Sequence, residues 1–217
     1  MMNELTRSSS APVETWRLFI ALPLPAGVRE IIDDIEGQLK AHEWPVNWVD
    51  PDLAHITLKF LGDTPTDLVP PIERQLGIVA MRRRVAEAGV GNVGAFPSTN
   101  RARVIWLGLD GDLSPLAALA QDVVSAMSGL GFPREVRSFR PHITLGRLRR
   151  GKMLPSDLVE DIERLDITRM SVPLDRMQVV RSVLSQSGPN YTVLSDWQLG
   201  LSSIDQAVNP IELVEHG

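Results

Sequence analysis

The 217-residue chain contains no cysteine. That excludes a disulfide framework, a thiolate nucleophile and a cysteine-type zinc site, and it fits a reducing compartment. Aromatic residues make up only 5% of the chain, with a single Tyr, so any stacking site must be drawn from a handful of rings. Positive charge is not in excess. The formal net charge is −5, which argues against a general DNA coater, because nonspecific binding draws on many phosphate contacts. Long hydrophobic runs are also missing: the longest, Leu18 to Val28, is broken by Pro23 and Pro25 and is too short to cross a bilayer. Residues 1–15 are polar and Ser-rich, without the apolar core of a signal peptide. These absences lead us to expect a cytoplasmic protein with no membrane or DNA partner.

What is present is a short pattern used twice. His55-Ile56-Thr57-Leu58 returns 87 positions later as His142-Ile143-Thr144-Leu145, in a chain with four His in all. Either copy alone is weak evidence, but chance repetition of the pair is rare. Each copy reads as a half-buried strand, with His and Thr on one parity and apolar residues, including Phe60, on the other. If the strands lie side by side, two imidazoles and two hydroxyls serve one site. From Arg134 to Lys152 seven basic residues stand against one acidic residue, Glu135. The second copy thus sits in a positive field suited to a small anion.

Apolar residues, 43% of the chain, suffice for a core. We expect a flexible segment over 1–15, a single domain over 16–201 and a tail over 202–217. Periodicity predicts a strand over 16–22 with Arg17, Phe19 and Ala21 on one face, then a helix from Pro25 carrying Val28, Ile31, Ile32, Ile35 and Leu39. A short extended piece over 46–49 and a motif strand over 54–61 follow. A helix carrying Ile72, Leu76, Val79 and Ala80, strands over 85–95 and 104–109, and a helix over 113–129 come next. The second motif strand is expected over 138–148, a helix near 155–165, and extended stretches over 170–172, 177–184 and 191–199. The order helix, motif strand, helix, further strand occurs twice, which suggests two similar halves related by duplication. With no Gly-rich strand-to-helix turn, the mixture favours α+β with antiparallel sheets over a nucleotide-binding parallel sheet.

With these motifs the sequence resembles the 2H phosphoesterases, and within them the RNA 2′,3′-cyclic phosphodiesterases also called the 2′-5′ RNA ligase family. The resemblance extends through Arg17-Leu18-Phe19-Ile20-Ala21-Leu22-Pro23, Lys59-Phe60-Leu61-Gly62, Gly94-Ala95-Phe96-Pro97 and Val104-Ile105-Trp106-Leu107-Gly108-Leu109. It continues through Phe139-Arg140-Pro141 before the second motif, Gly146-Arg147 after it, Ser182-Val183-Leu184 and Gly188-Pro189-Asn190-Tyr191. It implies a bilobal fold in which two similar lobes with antiparallel sheets line a central cleft, each supplying one motif strand, with helices outside.

Two imidazoles facing one anion suit concerted acid–base chemistry, since one can be neutral while the other is charged. Thr57 and Thr144 can donate to the equatorial phosphate oxygens. The resemblance implies that His55 is the proton donor to the leaving 3′ oxygen and His142 the proton acceptor from water, giving a 2′-phosphate; the residues alone would allow the reverse. For phosphate contact the family points to Arg147, whose parity is opposite to that of His142, while Arg140 has matching parity beside a disturbing Pro141. Lys59 is expected at the rim. Phe19, Trp48 and Tyr191 are the candidate base-stacking rings. The expected partners are RNA 3′ ends or small cyclic nucleotides, acted on by a monomer without cofactor or metal. Rivals are 2′-5′ ligation or 2′-5′ phosphodiester cleavage at the same site, a His-ligated metal hydrolase, for which a third ligand at fixed spacing is lacking, and a non-catalytic binder of RNA ends.

Overall fold

The computed structural model describes residues 13–83, 87–135, 137–153, 158–185 and 188–200. Most of the segment expected over 1–15, the tail expected over 202–217 and residues 155–157 of the last expected helix lie outside the described residues. In chain order the elements are β1 (Thr15–Pro23), α1 (Ala26–Lys40), β2 (Val46–Trp48), β3 (His55–Pro65), α2 (Val69–Arg82), β4 (Ala88–Phe96) and β5 (Val104–Asp110). Then come α3 (Ser114–Gly129), β6 (His142–Leu148), α4 (Leu158–Glu163), β7 (Ser171–Val172), β8 (Arg176–Ser185) and β9 (Gly188–Gln198). Among the described residues no helix is long and apolar enough to cross a membrane.

The fold is α+β. All strand pairings among the described residues are antiparallel, in the order β7-β4-β5-β6-β3-β1-β8-β9, with β2 on β6 outside that path. At the middle of the order, β3 and β6 share a single registered pair, Ile56 opposite Ile143. Two half-sheets therefore meet along the two motif strands. One comprises β1, β3, β8 and β9, with α2 on β9 and α3 on β3. The other comprises β2, β4, β5, β6 and β7, with α4 on β4. There α1 is held near β7 by the Gln38 side chain, which donates to the Asp166 carbonyl, and by the contact of Gly27 with Met170. The expected duplication into sequence halves takes another form: both lobes draw strands from both halves of the chain, so the lobes interleave.

Helices cover the face opposite the imidazoles. The buried stripes are Val28, Ile31, Ile32, Ile35 and Leu39 on α1, Ile72, Leu76, Val79 and Ala80 on α2, and Leu116, Leu119, Ala120, Val123 and Met127 on α3. Pro70, Pro71 and Pro115 fall in first turns, where the missing N–H would have no partner. These stripes meet Leu18, Ile20, Leu22, Ile56, Ile105, Leu107, Ile143 and Leu145 from the sheet in one continuous core. The second motif strand begins at His142, not at 138. Pro141 has no N–H to give a ladder, and the carbonyl before it is turned to another use.

Candidate active site

Extending the Ile56–Ile143 register by one residue each way puts Thr144 beside His55 and His142 beside Thr57, since both strands alternate regularly there. Side chains directly opposite in such a pair have Cβ atoms about 5 Å apart. The isoleucines are fully buried on the helix side, which turns both His and both Thr to the other face. The four motif side chains thus form a compact square with approximate two-fold symmetry, and His55 and His142 interact electrostatically.

Both imidazoles are anchored in the same way. His55 Nδ1 lies 2.8 Å from the carbonyl of Leu53, and His142 Nδ1 lies 2.7 Å from the carbonyl of Arg140. A carbonyl has no proton, so Nδ1 donates in each case, and Nε2 is the nitrogen left for chemistry. Burial lowers the pKa of His55, opposed by its bond to Leu53 and reinforced by the charges of Arg147 and His142. Burial likewise lowers that of His142, opposed by Arg140's carbonyl and reinforced by Arg147 and the Arg140 guanidinium. One cation, Arg147, therefore acts on both rings.

Arg147 reaches that position through a β-bulge. On β6, Gly146 pairs with Ile105 and Thr144 with Trp106, leaving Leu145 without a partner in the β5 ladder. The extra residue reverses the alternation, so Arg147, which strict parity places with the core, returns to the face of Thr144. Gly146 makes room for β2 beneath, since a Cβ there would come within 2.5 Å of Val46 Cγ1. The first motif repeats the device. On β3, Lys59 pairs with Ile20 and Thr57 with Ala21, leaving Leu58 over. Phe60, five residues after His55 as Arg147 is five after His142, is turned to the cleft face and is 59% exposed. This corrects the expectation that Phe60 lies in the core.

Aromatic rings brace each imidazole. Phe19 stacks on His55 with centroids 4.8 Å apart, and Tyr191 meets His55 edge-on at 5.6 Å and Phe19 at 5.1 Å. On the other side Phe96 meets His142 edge-on at 5.0 Å and lies 5.1 Å from Trp106. Phe19 is buried, with one face taken by the His55 ring, so it positions His55 and leaves no platform for a base. Trp48 lies opposite Gly146 and packs against the core on the helix side, away from the cleft. Tyr191 stays at the cleft, within electrostatic reach of Arg147 and Arg17. Arg140 sets its guanidinium 5.3 Å above the Phe96 ring, while its carbonyl fixes His142. Phe96 and Trp106 escaped sequence reasoning. A signal was present in Gly94 and Gly108, strand glycines that leave space for the indole: a Cβ at Gly94 would lie 2.4 Å from it.

Comparison with known proteins decides the family. Residues 22–185 match the family model described as the 2′-5′ RNA ligase superfamily. The chain belongs to that superfamily. Among its relatives, proteins named RNA 2′,3′-cyclic phosphodiesterase from Archaeoglobus fulgidus and Thermus thermophilus are 32% and 30% identical to it. The matches cover 81% and 92% of this chain and 96% and 98% of theirs. Among solved structures, a protein of Thermus thermophilus superposes with a TM-score of 0.65 at 28% identity, covering 85% of this chain and 98% of its own. E. coli LigT complexed with 3′-AMP gives 0.63 at 26% identity, covering 87% of this chain and all of its own.

Lys59 of this superfamily member departs from the rim position expected for it. The bulge at Leu58 sends it to the helix side, where it is 2% exposed and its Nζ donates to the Pro133 carbonyl at 2.8 Å and to Glu135 at 3.1 Å. It thereby ties the strand carrying His55 to the loop that leads to His142. Removing Glu135 leaves the buried ammonium with the Pro133 carbonyl but without its counter-charge, whereas a methionine at 59 removes the charge and keeps the stem. Glu135→Ala is therefore expected to lower stability by about 1–3 kcal/mol and Lys59→Met by less. Urea unfolding of the two variants checks the order; Lys59→Met being the worse would contradict it.

Proposed function

We propose that the protein hydrolyses RNA 2′,3′-cyclic phosphate ends to 2′-phosphates with His142 as base and His55 as acid. The observation that carries this is the pairing of the motif strands, with both Nδ1 atoms anchored on carbonyls, which leaves Nε2 of each ring for chemistry. His142 Nε2 takes a proton from water as the water oxygen bonds to phosphorus. The bond from phosphorus to O3′ breaks, and His55 Nε2 gives its proton to O3′. Thr57, Thr144 and Arg147 meet the equatorial oxygens, where charge grows in the transition state; Arg140 stands at the edge, beside His142.

Burial and the Arg147 charge disfavour the charged form of each ring, which suits His142 as the base. The anionic substrate offsets Arg147 and restores the proton that His55 needs. The names of the relatives support RNA as substrate, and the 3′-AMP and phosphate named with the LigT crystals support a nucleotide phosphate in the cleft. DNA has no 2′-hydroxyl and cannot form a 2′,3′-cyclic phosphate. The same reading has the protein act as a cytoplasmic monomer without metal. The test is incubation with an oligonucleotide bearing a 2′,3′-cyclic phosphate, in EDTA, followed by location of the product phosphate. A 2′-phosphate is expected; a 3′-phosphate, or no reaction, would overturn the assignment.

A further inference from the structure

The motif square is nearly symmetric, and the substrate proposed for it is not. A 2′,3′-cyclic phosphate joins phosphorus to the ribose through two ester oxygens of almost equal reactivity, and the one that stands in line with the attacking water is the one that leaves. His55 and His142 are anchored alike, on the Leu53 and Arg140 carbonyls, and Thr57 and Thr144 are related by the same approximate two-fold. Neither pair can tell O2′ from O3′. Choosing the bond that breaks therefore needs a group present on one lobe and missing from the other.

Tyr191, the only tyrosine of the chain, meets that requirement. It lies on β9 two residues before Val193, which is opposite Val180 on β8, which in turn is opposite Phe19 on β1. Alternation thus sends its ring to the face that carries His55. Edge-on contacts to His55 at 5.6 Å and to Phe19 at 5.1 Å hold the ring there. On the other lobe the ring that meets His142 edge-on is Phe96, which has no hydroxyl. A tyrosine hydroxyl usually finds a partner when buried, yet among the described residues that of half-buried Tyr191 makes no hydrogen bond. Burial raises its pKa from the ordinary 10, opposed by the charges of Arg147 and Arg17, so near neutrality the phenol keeps its proton and can donate.

With O3′ apical, the equatorial oxygens are the two that carry no ester and O2′. The first two hold the growing charge, to which Thr57, Thr144 and Arg147 answer. O2′ stays bonded to the ribose, and the ribose leaves on the side of the acid, over the lobe of β1, β3, β8 and β9. On that lobe the Tyr191 ring stands beside His55, and its hydroxyl is near enough to Arg147 to feel a cation that also acts on both imidazoles. We infer that the Tyr191 hydroxyl donates a hydrogen bond to O2′, keeps that oxygen equatorial and so places O3′ in line with the water. Tyr191 is then the residue that decides which ester bond breaks. This rests on the hydrolytic reading above and deepens it by naming the source of its regiochemistry.

The experiment measures the ratio of 2′-phosphate to 3′-phosphate formed from an oligonucleotide 2′,3′-cyclic phosphate, with the two products resolved by phosphorus NMR or chromatography. Tyr191→Phe keeps the ring against His55 and Phe19 and removes the hydroxyl alone. It is expected to go on turning over while the ratio falls about three- to tenfold from the wild-type value, the scale of one lost hydrogen bond. Tyr191→Leu is expected to lower the ratio to the same extent and the rate further, because His55 also loses a bracing ring. An unchanged ratio in Tyr191→Phe overturns the inference, whatever the rate, since a ring that merely braces His55 has no say in which bond breaks. Loss of all turnover in a folded Tyr191→Phe protein overturns it too, by placing the hydroxyl in the displacement itself. In both cases the wild type still forms the 2′-phosphate, which separates these failures from failure of the proposed reaction, where the wild type forms the 3′-phosphate or nothing.

Discussion

Replacing His142 with alanine is expected to lower kcat on a 2′,3′-cyclic-phosphate oligonucleotide by about 10²–10⁴-fold, the usual contribution of a positioned general base. The fold is expected to survive. His142 is half-buried at the cleft and its ring is held by the Arg140 carbonyl, while Ile143 and Leu145, which hold the strand in the core, are untouched. His55→Ala is expected to be about as severe on the same substrate, because water attack and leaving-group protonation are parts of one displacement. For the same reason the double variant falls little below either single one, since groups acting as a unit are strongly non-additive. Single-turnover rates, with thermal unfolding as a control on folding, check all three. Additive losses would mean that the imidazoles do not act on one phosphorus.

Arg147→Gln is expected to produce the second large loss, about 10²–10³-fold in kcat/KM, together with a displaced pH profile. The productive free enzyme has His142 neutral and His55 charged. Both groups lie below the ordinary 6.5, so the wild-type bell is expected to peak on the acid side of that value. Arg147 disfavours the charged form of each imidazole, so its removal raises both pKa values and moves both limbs of the bell toward higher pH. A residue that merely shaped the cleft would lower the curve without moving it, and a curve that falls in place would remove Arg147 from the electrostatics of the pair. Arg140 acts on His142 alone among the two rings. Arg140→Gln is therefore expected to move the limb due to His142 and leave the other in place.

The motif pair was legible because each copy carries its full message locally: alternation from His55 to Thr57 and from His142 to Thr144 holds in the structure. So do the helices, whose buried stripes fall on the residues that periodicity selects. The faces of Lys59, Phe60 and Arg147 were not legible for a common reason. A bulge is a property of a strand together with its neighbour, and nothing within Thr57-Leu58-Lys59 or Thr144-Leu145-Gly146 announces that one leucine will be left without a ladder partner. Past each bulge the parity reverses. Lys59, assigned to the rim, enters the interior; Phe60, assigned to the core, faces the cleft; and Arg147, left level with Arg140, joins the imidazoles. Trp48 was misplaced because its side is set by pairing with Gly146, a partner nearly a hundred residues away in sequence. Interleaving of the lobes was equally out of reach, since strand order depends on long-range contacts that local periodicity does not encode.

The assignment of one imidazole as acid and the other as base is tested most directly with a substrate whose 3′ bridging oxygen is replaced by sulfur. A thiolate departs without protonation, so the acid becomes dispensable and the base does not. His55→Ala is expected to recover most of the wild-type rate on the sulfur substrate while His142→Ala stays inactive. Recovery by His142→Ala with His55→Ala remaining inactive would contradict the account.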